Sequence, residues 1–203
     1  MVLRVILSAV IGYLLGSINT SILVGRVFYK TDVREHGSGN AGATNTLRTL
    51  GGKAAILVVI GDSLKGVLAC LIGRWIAGEL MPGVYAGEYL GGMFAIIGHN
   101  WPVYFGFKGG KGVMTSFAVV LMFSPLSALI CLAGFMVVVA LTRYVSLGSI
   151  VGAVLFPVTA LLLGEPPLMV VVGIFLALLI VFRHISNMKR LLAGNEKKLS
   201  FKK

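Results

Sequence analysis

The sequence predicts an all-α, polytopic integral membrane protein with about seven transmembrane helices, and three observations carry that expectation. Hydrophobic residues make up 57% of the 203-residue chain and charged residues only 12%, with a mean hydropathy of +0.95. A soluble domain carries about a quarter charged residues. Apolar runs recur along the whole length, separated by short stretches rich in Gly, Pro or basic residues. The formal charge of +11 gathers in some of those separators, as cytoplasmic loops require, so nucleic acid is not an expected partner. Residues 1–203 are expected to form a single membrane-embedded domain, without an internal repeat or a soluble module.

The apolar runs extend from Val5 to Gly25, Ala54 to Ile76, Tyr89 to Phe105, Gly112 to Phe123, Leu126 to Leu141, Leu147 to Leu163 and Leu168 to Phe182. The first is long enough to span and lacks a clear small-residue cleavage site, so it reads as a retained helix rather than a signal peptide. The fourth and fifth are short and meet at Ser124-Pro125; they are two helices or one helix kinked at the proline. Arg26, Lys30, Arg34, Arg48 and Lys53 follow the first run, and Arg183, Lys189, Arg190, Lys197, Lys198, Lys202 and Lys203 follow the last. If both clusters are cytoplasmic the number of crossings is odd, which favours seven with the N-terminus outside. Glu79 and Glu88 then share one opposite loop, and Glu165, before the Pro166-Pro167 turn, lies in the other. Cys70 and Cys131 sit inside apolar runs without metal-ligand spacing and behave as small hydrophobes.

This topology brings four polar stretches to the cytoplasmic side. The first, Glu35 to Arg48, combines Gly37, Gly39 and Gly42 with the neutral donors Ser38, Asn40, Thr44 and Asn45 and the fixed guanidinium of Arg48. That inventory suits a phosphate, although Gly/Ser/Asn composition alone also marks ordinary loops. The second runs from Gly98 to Val113. It contains His99, Asn100, Trp101, Lys108, Gly109, Gly110, Lys111 and Gly112 ahead of an expected helix, so backbone amides, lysines and a positive helix terminus fall together. A lysine-anchored interfacial turn with Trp101 and Tyr104 in the aromatic belt is the structural alternative. The GxxxxGK[ST] spacing of a nucleotide-hydrolysing loop is absent.

In the third stretch Arg143, Ser146 and Ser149 recur every three residues, and in the fourth so do His184 and Asn187. Each set can line one helical face at a membrane boundary. Asp62 and Lys65, three apart in the second run, are expected to pair near its cytoplasmic end, more as structural support than as substrate contacts.

The segments Ser38 to Arg48, Gly98 to Val113 and Arg183-His184 with Asn187 resemble the bacterial acyl-phosphate-dependent glycerol-3-phosphate acyltransferases over nearly the whole chain. The resemblance implies an enzyme of the bacterial inner membrane that moves a fatty acyl group from acyl phosphate to the 1-hydroxyl of sn-glycerol 3-phosphate. Its products would be lysophosphatidate and phosphate, in phospholipid biosynthesis. The implied partners are acyl phosphate, glycerol 3-phosphate and membrane lipid, with no coenzyme A or acyl carrier protein as direct donor. Ser38, Arg48, His184 and Asn187 match the family's catalytic positions, and Lys108 to Gly112 match its glycerol-3-phosphate motif. Gly39, Asn40, Thr44, Asn45, His99, Asn100, Ser146 and Ser149 are further candidates for substrate or phosphate binding.

One departure stands out: the family usually carries a glutamate just before the motif's asparagine, and this chain has Ser186. Neither His36, His99 nor His184 has an aspartate five positions on, which separates the chain from the His-x4-Asp acyltransferases. His184 is the one side chain to consider as a general base, but acyl phosphate is already activated and its own oxygens can take the proton. No sequence feature calls for a metal or an organic cofactor. The alternative from another class is a membrane transporter of a small organic phosphate, which predicts mid-membrane polar residues and repeated halves.

Overall fold

The computed structural model describes residues 1–79 and 84–199; Lys202 and Lys203 of the C-terminal basic cluster lie outside the described residues. Among the described residues ten α-helices form: α1 Val2–Ser17, α2 Thr20–Tyr29, α3 Ala43–Leu50, α4 Gly52–Ala77, α5 Ala86–Asn100, α6 Val113–Phe123, α7 Pro125–Thr142, α8 Val145–Leu162, α9 Pro167–Arg183 and α10 Ile185–Leu192. They divide into two compact units, Met1–Met122 and Phe123–Lys203.

All seven apolar runs become helical, but not all reach the length of a bilayer crossing. Among the described residues the Val2–Tyr29 stretch, α4, α7 and α8 are long and apolar enough, and α9 with α10 makes a fifth if that pair, bent by 56°, is one span. The 15 residues of α5 extend about 22 Å, short of a hydrocarbon core of roughly 30 Å, and the 11 residues of α6 extend less. Ser124 settles the fourth and fifth runs as two helices. Its backbone is extended, its hydroxyl accepts from the Ser127 N–H at 3.4 Å, and Pro125 opens α7 where a missing N–H costs nothing.

The first unit is inside out relative to a soluble bundle. On α4 the large side chains Leu57, Ile60, Leu64, Leu68 and Leu71 are exposed, whereas the buried face carries Ala54, Ala55, Val58, Asp62, Lys65, Gly66, Ala69, Cys70 and Gly73. Small residues inside let helix backbones approach, which is how helices associate when lipid is as apolar as leucine. α1 and α5 use the same device: a Cβ at Gly12 would overlap the Gly91 carbonyl, one at Gly16 the Ala95 carbonyl, and one at Gly98 the Tyr13 carbonyl.

The first run is broken. Ile18 and Asn19 are extended between α1 and α2, and the Asn19 side chain caps α2 by accepting from the Ile22 N–H at 3.1 Å. Glu88 also differs from expectation. Instead of a loop it occupies the first turn of α5, buried, with Arg74 3.7 Å from its carboxylate, because α5 begins three residues before Tyr89. Asp62 and Lys65 sit near the midpoint of α4 rather than toward its N-terminal end.

In the second unit Gly148 on α8 meets Val139 and Phe135 of α7, and Gly173 on α9 meets Phe156 of α8. Arg143 does not share a helical face with Ser146 and Ser149. It closes α7 in the left-handed conformation at φ 66°, and the two serines belong to α8.

Candidate active site

Within the first unit, the chain leaving α2 is organised by Asp32. Its carboxylate accepts from the Arg34 backbone N–H and Nε at 3.0 Å each and from Arg34 Nη2 at 2.8 Å, and it pairs with Arg26 at 2.9 Å. The Arg34 hydrogen bonds hold Asp32 well below the usual carboxylate range against the opposing effect of burial. Arg34 is thereby aimed across the unit, where Nη1 donates to the carbonyls of Phe105 at 2.9 Å and Lys108 at 3.1 Å. One guanidinium thus ties the chain ahead of Ser38 to the segment that carries Lys108.

Asn45 shapes the first polar stretch from inside. Buried on α3, its Nδ2 donates to the carbonyls of Val33 at 2.8 Å and His36 at 3.1 Å, and its Oδ1 accepts from Ser38 N at 2.8 Å and Ser38 Oγ at 3.2 Å. All four of its hydrogen-bonding capacities go to the loop. Ser38 is exposed between Gly37 at φ 63° and Gly39 at φ 71°, both in the left-handed region that favours glycine. Asn40 and Thr44 are half-buried, and Arg48 is exposed in the last turn of α3, so the arginine sits on a helix rather than in the loop.

The glycines of the second stretch have a reason that the sequence did not disclose. A Cβ at Gly109 would overlap the His99 carbonyl, and one at Gly110 would overlap both His99 Nε2 and the Ala41 carbonyl. These two glycines are needed by the protein's own packing. The Gly110 N–H donates to the His99 carbonyl at 3.1 Å, while Lys108 is exposed, Lys111 is half-buried and Gly112, at φ 76°, precedes α6. His99 and Asn100 are buried at the end of α5, with Asn100 Oδ1 against Gly112.

Within the second unit, His184 sits at the bend between α9 and α10 and is 3% exposed. Its Nδ1 lies 2.8 Å from the Ile180 carbonyl, which can only accept, so the neutral ring carries its proton on Nδ1 and Nε2 is the basic nitrogen. Asn187 follows on the first turn of α10. Its Nδ2 donates at 2.6 Å to Glu196, whose carboxylate also accepts from Ser146 Oγ and Arg190 Nε at 2.8 Å each. Ser149 donates to the Val145 carbonyl of its own helix at 2.8 Å. The tail is fastened in both directions at Arg143, whose carbonyl accepts from Leu199 N at 2.7 Å while its Nη2 donates to the Leu199 carbonyl at 2.9 Å.

The sequence profile described as glycerol-3-phosphate acyltransferase matches residues 6–194. The chain belongs to the glycerol-3-phosphate acyltransferase family. The glycerol-3-phosphate acyltransferase of Thermoanaerobacter pseudethanolicus is 47% identical over 97% of this chain and 96% of the relative, and that of Clostridioides difficile is 44% identical over 98% and 97%. Among solved structures, the glycerol 3-phosphate form of PlsY, an integral membrane glycerol 3-phosphate acyltransferase, matches with a TM-score of 0.88 at 36% identity over 97% of this chain and 96% of that one. Its lysophosphatidic acid form matches with a TM-score of 0.86.

Ser186 places no carboxylate next to Asn187 in the sequence. Glu196, nine residues beyond Asn187, supplies a carboxylate to the asparagine side chain. Sequence reasoning missed it because the contact depends on the turn after α10 bringing the tail back, and a lone glutamate in a lysine-rich tail carries no spacing signal. Burial alone would raise the Glu196 carboxyl, but hydrogen bonds from Asn187, Arg190 and Ser146 outweigh it and hold the group below its ordinary value.

Replacing Glu196 with alanine leaves three donors without their charged acceptor. We expect a loss of about 2 kcal/mol, or roughly 5 °C in Tm for a chain of this size. The folded-state value is depressed, so this stability is fully present above the unfolded carboxyl value and is lost as pH falls through the lower folded one. Thermal unfolding in detergent should therefore show a gap between wild type and Glu196→Ala that persists from pH 8 to about pH 4.5 and narrows only below it. Coincident curves at pH 7 would show that the tail contributes no stability through this residue.

Proposed function

We propose that this protein transfers a fatty acyl group from acyl phosphate to the 1-hydroxyl of sn-glycerol 3-phosphate, forming 1-acyl-sn-glycerol 3-phosphate and inorganic phosphate. The observation that carries the proposal is the Arg34 bridge, which fastens the chain leading to Ser38 to the Phe105 and Lys108 carbonyls. Two stretches rich in anion-binding groups are thus held side by side in the first unit. The relatives support it by their names, and the two forms of PlsY carry glycerol 3-phosphate and lysophosphatidic acid, the acceptor and product of this reaction.

In this mechanism Arg48, Lys108 and Lys111 neutralise phosphate, and the Gly109–Gly112 backbone, held at Gly110 by its bond to the His99 carbonyl, carries the two lysines. Ser38, Gly39, Asn40 and Thr44 supply neutral donors, Asn45, His99 and Asn100 shape the polar stretches of the first unit, and in the second unit Ser146 holds Glu196 against Asn187. The glycerol 1-hydroxyl attacks the acyl carbonyl carbon, the bond from that carbon to the bridging phosphate oxygen breaks, and phosphate leaves with the electron pair of that bond. The hydroxyl proton passes to a phosphate oxygen. His184 and Asn187 orient substrate, and the principal gain comes from alignment and from stabilising the developing oxyanion.

A transporter of a small organic phosphate gains one observation, the buried Asp62–Lys65 pair near the middle of α4. The lysine is engaged by protein acceptors, as detailed below, which suits architecture better than passage of a ligand. Incubating purified protein with acyl phosphate and glycerol 3-phosphate should yield lysophosphatidate. Arg48→Ala and Lys111→Ala should each lower kcat/KM at least about tenfold, since a lost charge-assisted contact costs roughly 1.5–3 kcal/mol. Product formation at wild-type efficiency in both variants would mean that these cations serve topology alone.

If His184 positions substrate rather than taking the proton, His184→Gln should keep on the order of a hundredth of wild-type turnover. The pH–rate profile should also be the same shape in both. An ascending limb near pH 6–7 that disappears in His184→Gln, at unchanged glycerol 3-phosphate binding, would identify the histidine as the general base.

We further propose residence in the bacterial cytoplasmic membrane, with the N-terminus outside and the polar loops in the cytoplasm, from the basic residues that follow the first and last apolar runs. The native Cys70 and Cys131 are buried, so thiol labelling will report on engineered positions. Val2→Cys should react from outside the cell and Asn195→Cys only after permeabilisation. Labelling of both from one side would overturn the odd number of crossings.

A further inference from the structure

Lys65 lies buried in the first unit, 6% exposed at its side chain, beside an Asp62 that is 2% exposed. Its ammonium sits 2.8 Å from Asp62 Oδ1, donates to the Ile18 carbonyl at 3.0 Å and lies 2.9 Å from His99 Nδ1. An ammonium offers three donors and no acceptor, so beside its ion pair with Asp62 and its bond to Ile18 it can meet other groups only as a donor. His99 Nδ1 must therefore accept, which puts the imidazole proton on Nε2. That nitrogen is the edge of the ring against which Gly110 packs.

The lysine therefore joins three pieces of chain that have nothing in common in sequence. Ile18 has its carbonyl turned out of the helix by the break between α1 and α2, His99 is in the last turn of α5, and Gly110 is the centre of the glycine–lysine loop. The same break holds the loop from its other side. Asn19 Nδ2 donates to the Ala41 carbonyl at 3.3 Å, and that carbonyl is the second group a Cβ at Gly110 would strike. Gly110 is thus seated between a histidine ring fixed by Lys65 and a carbonyl fixed by Asn19.

We propose that Lys65, with Asp62 as its counter-ion, is a positioning residue for the Lys108–Gly112 loop, acting through His99 to preorganise the groups that receive the phosphate of glycerol 3-phosphate. The proposal rests on the acyltransferase function proposed above for the identity of that phosphate, though not for the geometry of the loop. A displaced loop should weaken acceptor binding while leaving acyl transfer in the bound complex nearly intact.

Removing Lys65 alone strands a buried carboxylate and risks misfolding, so Lys65→Met is paired with the neutral double variant Asp62→Asn/Lys65→Met. In detergent, the double variant should show amide hydrogen exchange at Lys108–Gly112 at least tenfold faster than wild type, with exchange in α1 and α4 unchanged. KM for glycerol 3-phosphate should rise at least tenfold, with kcat within about threefold and KM for acyl phosphate unchanged. Wild-type exchange in the loop overturns the proposal, as does faster exchange with an unaltered KM. Failure of both variants to fold, or a general rise in exchange with kcat falling as far as KM rises, assigns the cluster to bulk stability and also overturns it. If the wild-type protein does not acylate glycerol 3-phosphate at all, the functional assignment fails while loop exchange still decides the positioning.

Discussion

A carbonyl released by a broken helix needs a donor from within the protein when little water can reach it, and at Ile18 that donor is a buried lysine. Much of the first unit can be followed outward from this contact. An ammonium brought into the interior needs a counter-ion, which Asp62 provides one helical turn away, and further acceptors, which Ile18 and His99 provide. His99 then holds Gly110 by ring and by carbonyl, and the loop with its two lysines takes its course from there. The break in the first run is thus a source of order: it turns out the backbone group through which one helix can steer a distant loop.

Much of this architecture was legible in the sequence, and the parts that were not share a cause. The apolar runs announced helices because hydrophobic length needs no tertiary context; at Ser124-Pro125 the sequence leaves two helices and one kinked helix open, and the extended, capping Ser124 decides for two. The count of long spans was not legible. α5 stops at Asn100 because Trp101 and Pro102 leave the helix, although the hydropathy continues to Phe105. The break at Ile18 was hidden for the opposite reason: the residues on either side of it are apolar enough for an uninterrupted crossing, and one Asn among them does not disclose that it caps α2 and holds the Ala41 carbonyl.

The candidate site divides in the same way. Ser38, Arg48, Lys108 and Lys111 advertise themselves as polar residues in an apolar chain. Asn45 looked like another ligand in that company, yet its amide is wholly engaged in shaping the Ser38 turn. Gly109 and Gly110 looked like a bed for phosphate and prove to be demanded by His99 and Ala41. Arg34 and Glu196 were unmarked among many charges, and only the fold gives them their acceptors and donors. Residue type foretold the chemistry available; which atoms are already engaged could be learned only from three dimensions.

The glycine contacts between α1 and α5 have a metric consequence. Gly98 rests its backbone on Tyr13 and Ser17, and the residues immediately following Gly98 and Ser17 are His99 and Ile18, the two acceptors that Lys65 bridges. The gap between those acceptors is therefore a helix-to-helix spacing gauged by the absence of a side chain, and the reach of a lysine is matched to it. A methyl group at Gly98 would act as a shim, lengthening the gauge at a point where the tether across it has no slack.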